Sequence, residues 1–390
     1  MIKEKYRHSL LIALAILSLL LLGNRQIQAQ DNSKSKATPG VQLLLLSEEE
    51  PPQPPNIVFV TSTTYNGNVG GLAGADQKCQ ARAEAAGLPK NTYKAWLSTS
   101  SVNAIDRLGS ARGWVRVDGK PFADTKADIS IGKIFYPPRV DELGNYDNSS
   151  GHVWTATLPN GTGHPALGSC SSWEVSTIST VGEIGWSDST AGMFTDSGSK
   201  SCSDTARLYC FGIDKNVKVT VAPMAGRIAF FTKSEWITVG GVASADQKCM
   251  DEAQQAGLSG TFKALLATEG ASAASRFNVS GQPWVRRDGV AIASTPAELF
   301  SADFLNSPIN QSGDGLEYFG AYGAWGGAID PTTAGTSETT CNNWASSSGA
   351  NTGVGGRAAS TAQQRFFAFE SGVNSNPCNA TWLHLYCLQE

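Results

Sequence analysis

Apolar and polar residues follow a helical period at two places in the chain. After Cys249, Ala253 and Ala256 follow at i+4 and i+7, which places all three on one helix face. Ser244, with Gln247 three residues later, predicts a capping box at the start of this helix. Earlier in the chain, Cys79, Ala83 and Ala86 form the same helix face, and Gly74 occupies the predicted cap position. A glycine follows each helix, as is typical of a helix end: Gly87 and Gly257.

Shorter elements follow each of these helices. Alternation of apolar and polar residues predicts a strand in each copy, carried by Tyr93, Ala95 and Leu97 and by Phe262, Ala264 and Leu266. The spacing over residues 102–108 predicts a shorter second helix, and residues 114–117 predict a strand that ends in an Asp-Gly turn. The later part of each copy is rich in glycine and serine, which predicts long loops over a small sheet. This order of elements indicates an α+β fold.

These patterns recur because the chain contains the same segment twice. Residues 69–79 return as residues 239–249, which is an offset of 170 positions. A repeat of this length is a duplicated domain, since solenoid units measure only about 20–50 residues. We therefore predict two tandem domains, at residues 56–214 and 226–390.

The first residues predict export from the cytosol. A basic start precedes an apolar run at residues 10–22 and a small-residue cleavage site at Ala29. Thirteen residues of helix measure about 20 Å, which is short of a ~30 Å hydrocarbon core. Residues 1–29 are therefore predicted to be a secretory signal peptide, with an uncleaved anchor as the alternative. Residues 30–55 end in a proline-rich stretch and predict an extended linker.

Composition and charge exclude several classes of protein. The chain has 390 residues and 41% hydrophobic content, so it can bury two cores and is not disordered overall. A net charge of −4, from 30 basic and 34 acidic residues, gives no drive toward phosphate groups, so nucleic acid is not expected as a partner. No second apolar run is long enough to span a membrane, so we expect no transmembrane segment in the mature chain.

Eight cysteines occur at corresponding places, four in each copy. An even number of cysteines in an exported chain is typical of a disulfide framework, and we predict two disulfides within each domain. Four cysteines can pair in three ways, so three disulfide pairings remain open for each domain. The chain contains no CxxC pair, so a zinc site built from cysteines is not expected.

The recurring motifs stand in an order known from one family. Residues 75–79 (ADQKC) precede residues 93–98 (YKAWLS), and residues 170–173 (CSSW) precede residues 208–210 (LYC). This order resembles endostatin and the bacterial endostatin-like domains, which include spirochaete surface adhesins. The second copy keeps the order but has Ala-Trp-Gly at residues 324–326, where the first copy has Val-Trp-Thr. The resemblance implies two tandem, disulfide-stapled C-type-lectin-like domains.

The resemblance also implies which cysteines pair and what the protein binds. In each domain an outer disulfide would tie the first helix to the last strand, and an inner one would hold the long loop region. The implied pairs are Cys79 with Cys210, Cys170 with Cys202, Cys249 with Cys387, and Cys341 with Cys378. Spirochaete members of the family bind host matrix proteins, so a matrix-type extracellular protein is the implied class of ligand.

Side chains suited to catalysis or metal binding form no recognisable site in the sequence. Ser169, His164 and Asp188 could be arranged as a hydrolase triad, but no Gly-x-Ser-x-Gly motif supports it. The calcium-binding triplets of sugar-binding C-type lectins occur in neither copy, and no EF-hand pattern is present. We therefore predict no enzymatic activity, no catalytic residue, no metal and no cofactor.

Several recurring polar or aromatic residues have structural interpretations. Arg116 with Asp118, which recurs as Arg286 with Asp288, is predicted to pair at a strand end. The carboxylates of two loops are predicted to be solvated: Asp141, Glu142, Asp314 and Glu317. Asp76 and Asp246 are assigned to favourable interaction with a helix dipole. Five tryptophans are predicted to be core residues: Trp96, Trp114, Trp154, Trp173 and Trp186.

The sequence thus predicts a secreted or surface-associated binding protein, which in a bacterium would lie in the periplasm or at the outer membrane. It is expected to recognise an extracellular protein or a glycan through loop-rich faces at residues 144–168 and 315–327. A calcium-independent carbohydrate-binding lectin and a structural envelope protein are the alternatives, and a hydrolase is a more distant one.

Overall fold

The computed structural model describes residues 53–147, 151–165, 168–320, 322–369 and 375–390. The predicted signal peptide and nearly all of the predicted linker lie outside these residues. Residues Pro52–Glu390 form one compact unit, so copy 1 (residues 56–214) and copy 2 (residues 226–390) pack into a single body. Within the described part of the chain, every helix is too short or too polar to cross a membrane.

Copy 1 contains one long α-helix, two short α-helices, one 3-10 helix (Ala191–Phe194) and eight strands among the described residues, besides the left-handed turn Cys170–Trp173. The helices are α1 (Gly71–Ala85), α2 (Ala104–Arg107) and α3 (Lys126–Ser130). The strands are β1 (Asn56–Val60), β2 (Tyr93–Ala95), β3 (Trp114–Arg116), β4 (Pro121–Ala123), β5 (His152–Trp154), β6 (Val181–Trp186), β7 (Gly198–Ser201) and β8 (Tyr209–Gly212). They form one sheet in the order β2-β8-β1-β3-β4 and a second in the order β5-β6-β7.

Copy 2 repeats this plan. Its helices are α4 (Gly241–Gln255), α5 (Glu298–Ser301) and α6 (Gln363–Phe366). Its strands are β9 (Arg227–Phe231), β10 (Phe262–Ala264), β11 (Trp284–Val285), β12 (Gly323–Trp325), β13 (Thr352–Arg357), β14 (Ser375–Pro377), β15 (Leu383–His384) and β16 (Tyr386–Gln389). They form sheets in the orders β10-β16-β9-β11 and β14-β13-β12-β15. Small sheets beside separate helices agree with the predicted α+β class.

The long helices α1 and α4 begin earlier than the sequence pattern predicts. Each follows a glycine with positive φ, Gly70 or Gly240, and no side chain caps either helix. The predicted cap positions, Gly74 and Ser244, therefore lie inside the helices, and the predicted capping box is wrong. A glycine in the left-handed region lets the chain turn into the helix without a side-chain cap. The predicted ends are confirmed, because the glycines that follow have φ of 67° and 68°: Gly87 and Gly257.

Tryptophans and disulfides hold the core of each copy. The five predicted core tryptophans of copy 1 are all buried, which confirms that interpretation. Disulfides join Cys79 to Cys210, Cys170 to Cys202, Cys249 to Cys387, and Cys341 to Cys378. These are the pairs that the resemblance implies. The outer bonds tie α1 to β8 and α4 to β16, and by chain entropy alone bonds that close loops this long contribute about 5 kcal/mol each.

Each inner disulfide starts from a left-handed turn. In copy 1 all four residues of Cys170–Trp173 have positive φ, between 49° and 70°, and Cys341–Trp344 repeats this with φ between 52° and 62°. The turn delivers its tryptophan into the core, where the indole nitrogen donates to a backbone oxygen: Trp173 to Ser98 at 2.8 Å, and Trp344 to Ala267 at 2.7 Å. The recurrence of the Cys-x-x-Trp motif therefore reflects a local backbone conformation.

Buried polar contacts join the two copies. Both carboxylate oxygens of Asp188 in copy 1 accept from Arg365 Nη1 in copy 2, at 2.9 and 3.0 Å, and the backbone oxygen of Asp188 accepts from Thr361 N at 3.0 Å. From copy 2, Arg286 Nη1 donates to the backbone oxygen of Ile134 at 3.0 Å. Since all these groups are largely withdrawn from water, the junction depends on matched polar geometry as well as apolar packing.

Candidate functional site

The recurring arginine and aspartate pairs close strand ends in both copies. Arg286 Nε donates to Asp288 Oδ1 at 3.2 Å, and Arg116 Nε donates to Asp118 Oδ1 at 3.0 Å, with a second bond in each pair. Both guanidinium groups are buried. Burial raises the pKa of Asp288, but the adjacent Arg286 charge outweighs this and holds the pKa below its ordinary value. The predicted strand-end pairing is confirmed.

The loop carboxylates are not all solvated. Asp141 and Glu142 are both buried, so the prediction of solvated groups is wrong at these two positions. Glu142 accepts from Ser62 N at 2.9 Å and from Arg82 Nε at 2.6 Å, and Asp141 accepts from Asn145 N at 2.8 Å. Arg82 lies on α1, 60 residues away from Glu142, and sequence spacing gives no sign of that contact. Strand bridges place Gly313 at the position of Glu142 in copy 2, where a polar groove of about 440 Å³ remains open.

Ion pairs span this groove in copy 2. Lys233 contacts Asp314 Oδ2 at 2.6 Å and Glu317 Oε1 at 2.8 Å. All three side chains are substantially exposed, and exposed pairs contribute only about 0–1 kcal/mol. The groove is therefore a solvated, charge-matched surface and a weak candidate for a binding site.

Copy 2 carries an exposed aromatic patch, which we define as Phe369 and Trp382. Trp382 is 41% exposed and Phe369 is partly exposed. Tyr322, which is 47% exposed, is a separate aromatic group, because its ring contacts Phe319 and His384. The rings of Phe369 and Trp382 lie 5.7 Å apart, and both cover Gly323, where an added Cβ would meet each ring at 2.9 Å. Glycine at this position is thus required for the two rings to lie on the strand.

The aromatic patch has no counterpart in copy 1. Strand register and backbone hydrogen bonds show which positions are equivalent: Ser197 for Phe369, and Thr205 for Trp382. The same fold therefore forms in copy 1 with small or polar residues at both places. Exposed aromatic groups that the fold does not need mark a binding surface more strongly than a single exposed apolar residue.

Copy 1 contains a cluster of one histidine and two carboxylates, which we call the acidic cluster and which no sequence motif predicts. His164, Glu183 and Asp196 each place one ligand-type atom within 4.8 Å of the others. Glu183 is fully buried on β6, and its Oε1 accepts from Ser197 N at 3.1 Å and from Gly198 N at 2.9 Å. Burial raises the pKa of Glu183 to about 7, and the nearby Asp196 carboxylate adds to the shift. The one available signal was a lone carboxylate within an otherwise apolar strand.

The acidic cluster stands beside a cavity at the junction of the copies. Asp196 lines this cavity of about 380 Å³, together with the apolar side chains of Ile131, Pro159 and Met193. Tyr318 of copy 2 contributes to the opposite side. The cavity gives the carboxylate of Asp196 a route to solvent.

The residues considered for a hydrolase triad have other partners. Asp188 binds Arg365, and Ser360 Oγ donates to it at 3.1 Å. Ser169 Oγ accepts from Ser172 N at 3.1 Å and caps the left-handed turn. His164 lies against the two carboxylates of the acidic cluster.

A family model described as a protein of unknown function (DUF1554) matches residues 62–190. The match covers most of copy 1 and does not extend into copy 2. No curated protein matches the chain. The description gives no activity, so the function has to be inferred from the geometry of the chain itself.

Proposed function

We propose that this protein is a secreted or surface-associated binding protein that recognises an extracellular protein through the aromatic patch of copy 2. In this proposal residues 1–29 direct export, and the two copies are C-type-lectin-like domains of the endostatin-like kind. The four disulfides support an oxidising compartment, because such bonds are rare in the cytosol. The protein has no catalytic role in this proposal.

The aromatic patch is the observation that carries the proposal. Tyrosine and tryptophan dominate binding hot spots, because they bury a large area with few rotatable bonds. Gly323, which both rings cover, lies in the loop at residues 315–327 that the sequence pattern predicts to bind. In the other predicted loop, Tyr146 is partly exposed, and its hydroxyl donates to Asp118 at 3.1 Å and serves the strand-end pair.

A calcium-independent lectin is the second candidate, and the same patch favours it. Flat, exposed indole and phenyl rings stack on the apolar face of a sugar ring as well as on a protein surface. The two rings of the patch lie 5.7 Å apart and leave Trp382 partly exposed, as such stacking requires.

The test is saturable binding of the exported, oxidised chain to a panel of matrix proteins and glycans, with and without EDTA. Trp382→Thr places the residue of copy 1 at the equivalent position, and we expect it to weaken binding by ~10-fold or more. Ile178→Ala is the matched control, because Ile178 is an apolar side chain of copy 1 that is 83% exposed. Unchanged melting temperatures would show that both variants fold.

Protein binding that Trp382→Thr weakens and Ile178→Ala does not would support the proposal. Binding confined to glycans would favour the lectin. No binding across the panel, or binding that is unaffected by Trp382→Thr, would exclude the aromatic patch as the recognition surface and favour a structural role.

A further inference from the structure

The acidic cluster of copy 1 combines one imidazole and two carboxylates from three segments of chain. His164 lies in the loop after β5, Glu183 on β6, and Asp196 between the 3-10 helix Ala191–Phe194 and β7. Among the described residues, no other group of three His, Cys, Asp or Glu side chains converges in this way. Their ligand-type atoms all lie within 4.8 Å of one another. The ligands of a tetrahedral Zn²⁺ ion lie about 3.5 Å apart, because its bonds measure ~2.0–2.2 Å, so small side-chain rotations bring the three atoms to one ion.

Glu183 supplies a second observation that points to a ligand. The side chain has no exposed surface, and only its Oε1 receives backbone hydrogen bonds. Among the described residues, no donor reaches Oε2, and Asp196, which lies within reach, offers another carboxylate. A buried carboxylate oxygen without a donor is unfavourable, and a second negative charge beside it increases that cost. A cation at this point would satisfy both groups.

Comparison with copy 2 shows that the fold does not need these carboxylates. Strand register places Val354 at the position of Glu183, and the backbone contacts of the adjoining turn place Ala368 at the position of Asp196. Copy 2 forms the same strands with apolar residues there. Copy 2 therefore folds without a carboxylate at either position, although Glu183 Oε1 accepts two backbone hydrogen bonds in copy 1.

We propose that His164, Glu183 and Asp196 bind one divalent transition-metal ion of the zinc type. One nitrogen and two carboxylate oxygens are a ligand set that Zn²⁺ accepts, and the two negative charges neutralise a divalent ion. Ca²⁺ fits less well, because it takes six to eight oxygen ligands and does not favour imidazole. This proposal is independent of the aromatic patch, which lies on copy 2.

Three protein ligands leave at least one coordination position for a further group. Asp196 lines the cavity at the junction of the copies, whose walls include Ile131, Pro159 and Met193. A small donor such as water, or a ligand with an apolar body, could reach the metal from this side. The site therefore has the form of an open metal site and not of a closed structural one.

The test is Zn²⁺ binding to the untagged, oxidised chain by calorimetry, with the melting temperature measured at increasing Zn²⁺. We expect one Zn²⁺ per chain and a melting temperature that rises with Zn²⁺ concentration. Glu183→Val and Asp196→Ala introduce the residues of copy 2. We expect each, and His164→Ala, to weaken binding by ~100-fold or more, since even outer-shell changes cost about 10–100-fold. Mn²⁺ and Ca²⁺ are measured in parallel, and we expect Ca²⁺ to bind much more weakly.

Asp204→Ala is the matched control, because Asp204 is an exposed carboxylate of copy 1 outside the cluster. A cooperative thermal transition in Glu183→Val would show that it folds. If Glu183→Val does not fold, Asp196→Ala, which changes a partly exposed residue, carries the test. No Zn²⁺-dependent stabilisation, or stoichiometric binding that survives both Glu183→Val and Asp196→Ala, would overturn the proposal. The two carboxyl groups would then share a proton in place of a metal.

Discussion

Arg286 has no exposed surface, yet it carries a full positive charge at the junction of the two copies. Its charge is matched by Asp288, and its Nη1 also reaches Ser307 Oγ at 3.1 Å in addition to the Ile134 backbone. A guanidinium group can be buried at this point because its donors find acceptors on both copies. Arg116 holds the equivalent position in copy 1, and its hydrogen bonds to described residues, such as those to Asp118 and to the Pro137 backbone oxygen at 2.9 Å, stay within that copy.

This pairing predicts a pH-dependent stability. Because the folded-state pKa of Asp288 is held below its ordinary value, its contribution is complete above about pH 4 and is lost as the pH falls through the folded pKa. We expect Asp288→Asn to lower the free energy of unfolding by about 2–3 kcal/mol at pH 7. The difference from the parent chain should shrink between pH 5 and pH 3. Urea unfolding at pH 7, 5 and 3 measures it.

Asp251→Asn is the control for this prediction. Asp251 is exposed on α4, and its carboxylate accepts only from Gln247 Nε2 among the hydrogen bonds of the described residues, at 2.7 Å. Its replacement should leave both the stability and its pH dependence within about 0.5 kcal/mol of the parent chain. A Asp288→Asn deficit that stays constant down to pH 3 would contradict the argument.

At the scale of elements, the left-handed turns are the least expected feature of the fold. L-residues in this conformation cost roughly 1–2 kcal/mol each, and each turn contains four of them in a row. A disulfide at one end of each turn and a buried tryptophan at the other end hold it in this unfavourable conformation. The second copy uses Asn342 and Asn343 inside its turn, and asparagine tolerates positive φ better than most residues.

Ser171 tests the cost of this turn. It has φ of 51° and an exposed side chain, so Ser171→Gly removes backbone strain without removing core contacts. We expect Ser171→Gly to raise the free energy of unfolding by about 0.5–1 kcal/mol, and Ser171→Val to lower it by more than about 1 kcal/mol. Thermal and urea unfolding measure both.

The control for the turn is an exposed serine without positive φ. Ser203→Gly should reduce stability by about 0.5 kcal/mol, because glycine gains freedom in the unfolded chain and relieves no strain in the folded one. If Ser171→Gly and Ser203→Gly changed stability in the same direction by the same amount, the left-handed conformation would not be the cause.

At the scale of the whole molecule, Asp188 couples the two copies. It is 2% exposed and binds Arg365, Ser360 and Thr361 of copy 2. We expect Asp188→Ala to reduce the free energy of unfolding by about 3–5 kcal/mol, since it leaves a buried cation short of its counter-charge. It should also turn one cooperative transition into two, because each copy retains its own core and disulfides. Differential scanning calorimetry measures both effects.

Asp204→Ala, on the exposed surface of copy 1, is the control and should change stability by no more than about 0.5 kcal/mol. A single, unshifted transition in Asp188→Ala would mean that the other contacts of the junction hold the copies together. These include the bond from Arg286 to the Ile134 backbone and the apolar cluster that contains Met193 of copy 1 and Ala359 of copy 2.

Features that depend on local period and on repetition can be read from the residues alone. The duplication, the α+β class, the long helices with their glycine ends, the buried tryptophans and the strand-end pair of Arg116 and Asp118 all follow from residue type and spacing. They do so because side-chain burial along one element repeats at the period of that element. The resemblance to endostatin-like domains added the cysteine pairs, which spacing left open.

Contacts between side chains far apart in the chain could not be predicted and are seen in the folded molecule. Asp76 was assigned to the helix dipole, but it accepts from Ala95 N at 3.0 Å and ties α1 to β2. Glu142 is buried by Arg82, Glu183 meets His164 and Asp196, and Trp382 lies beside Phe369. Each of these contacts joins residues 13 to 60 positions apart, and their distance in space depends on the packing of whole elements. Local sequence patterns carry no information about that packing, so the candidate sites became visible only in the folded chain.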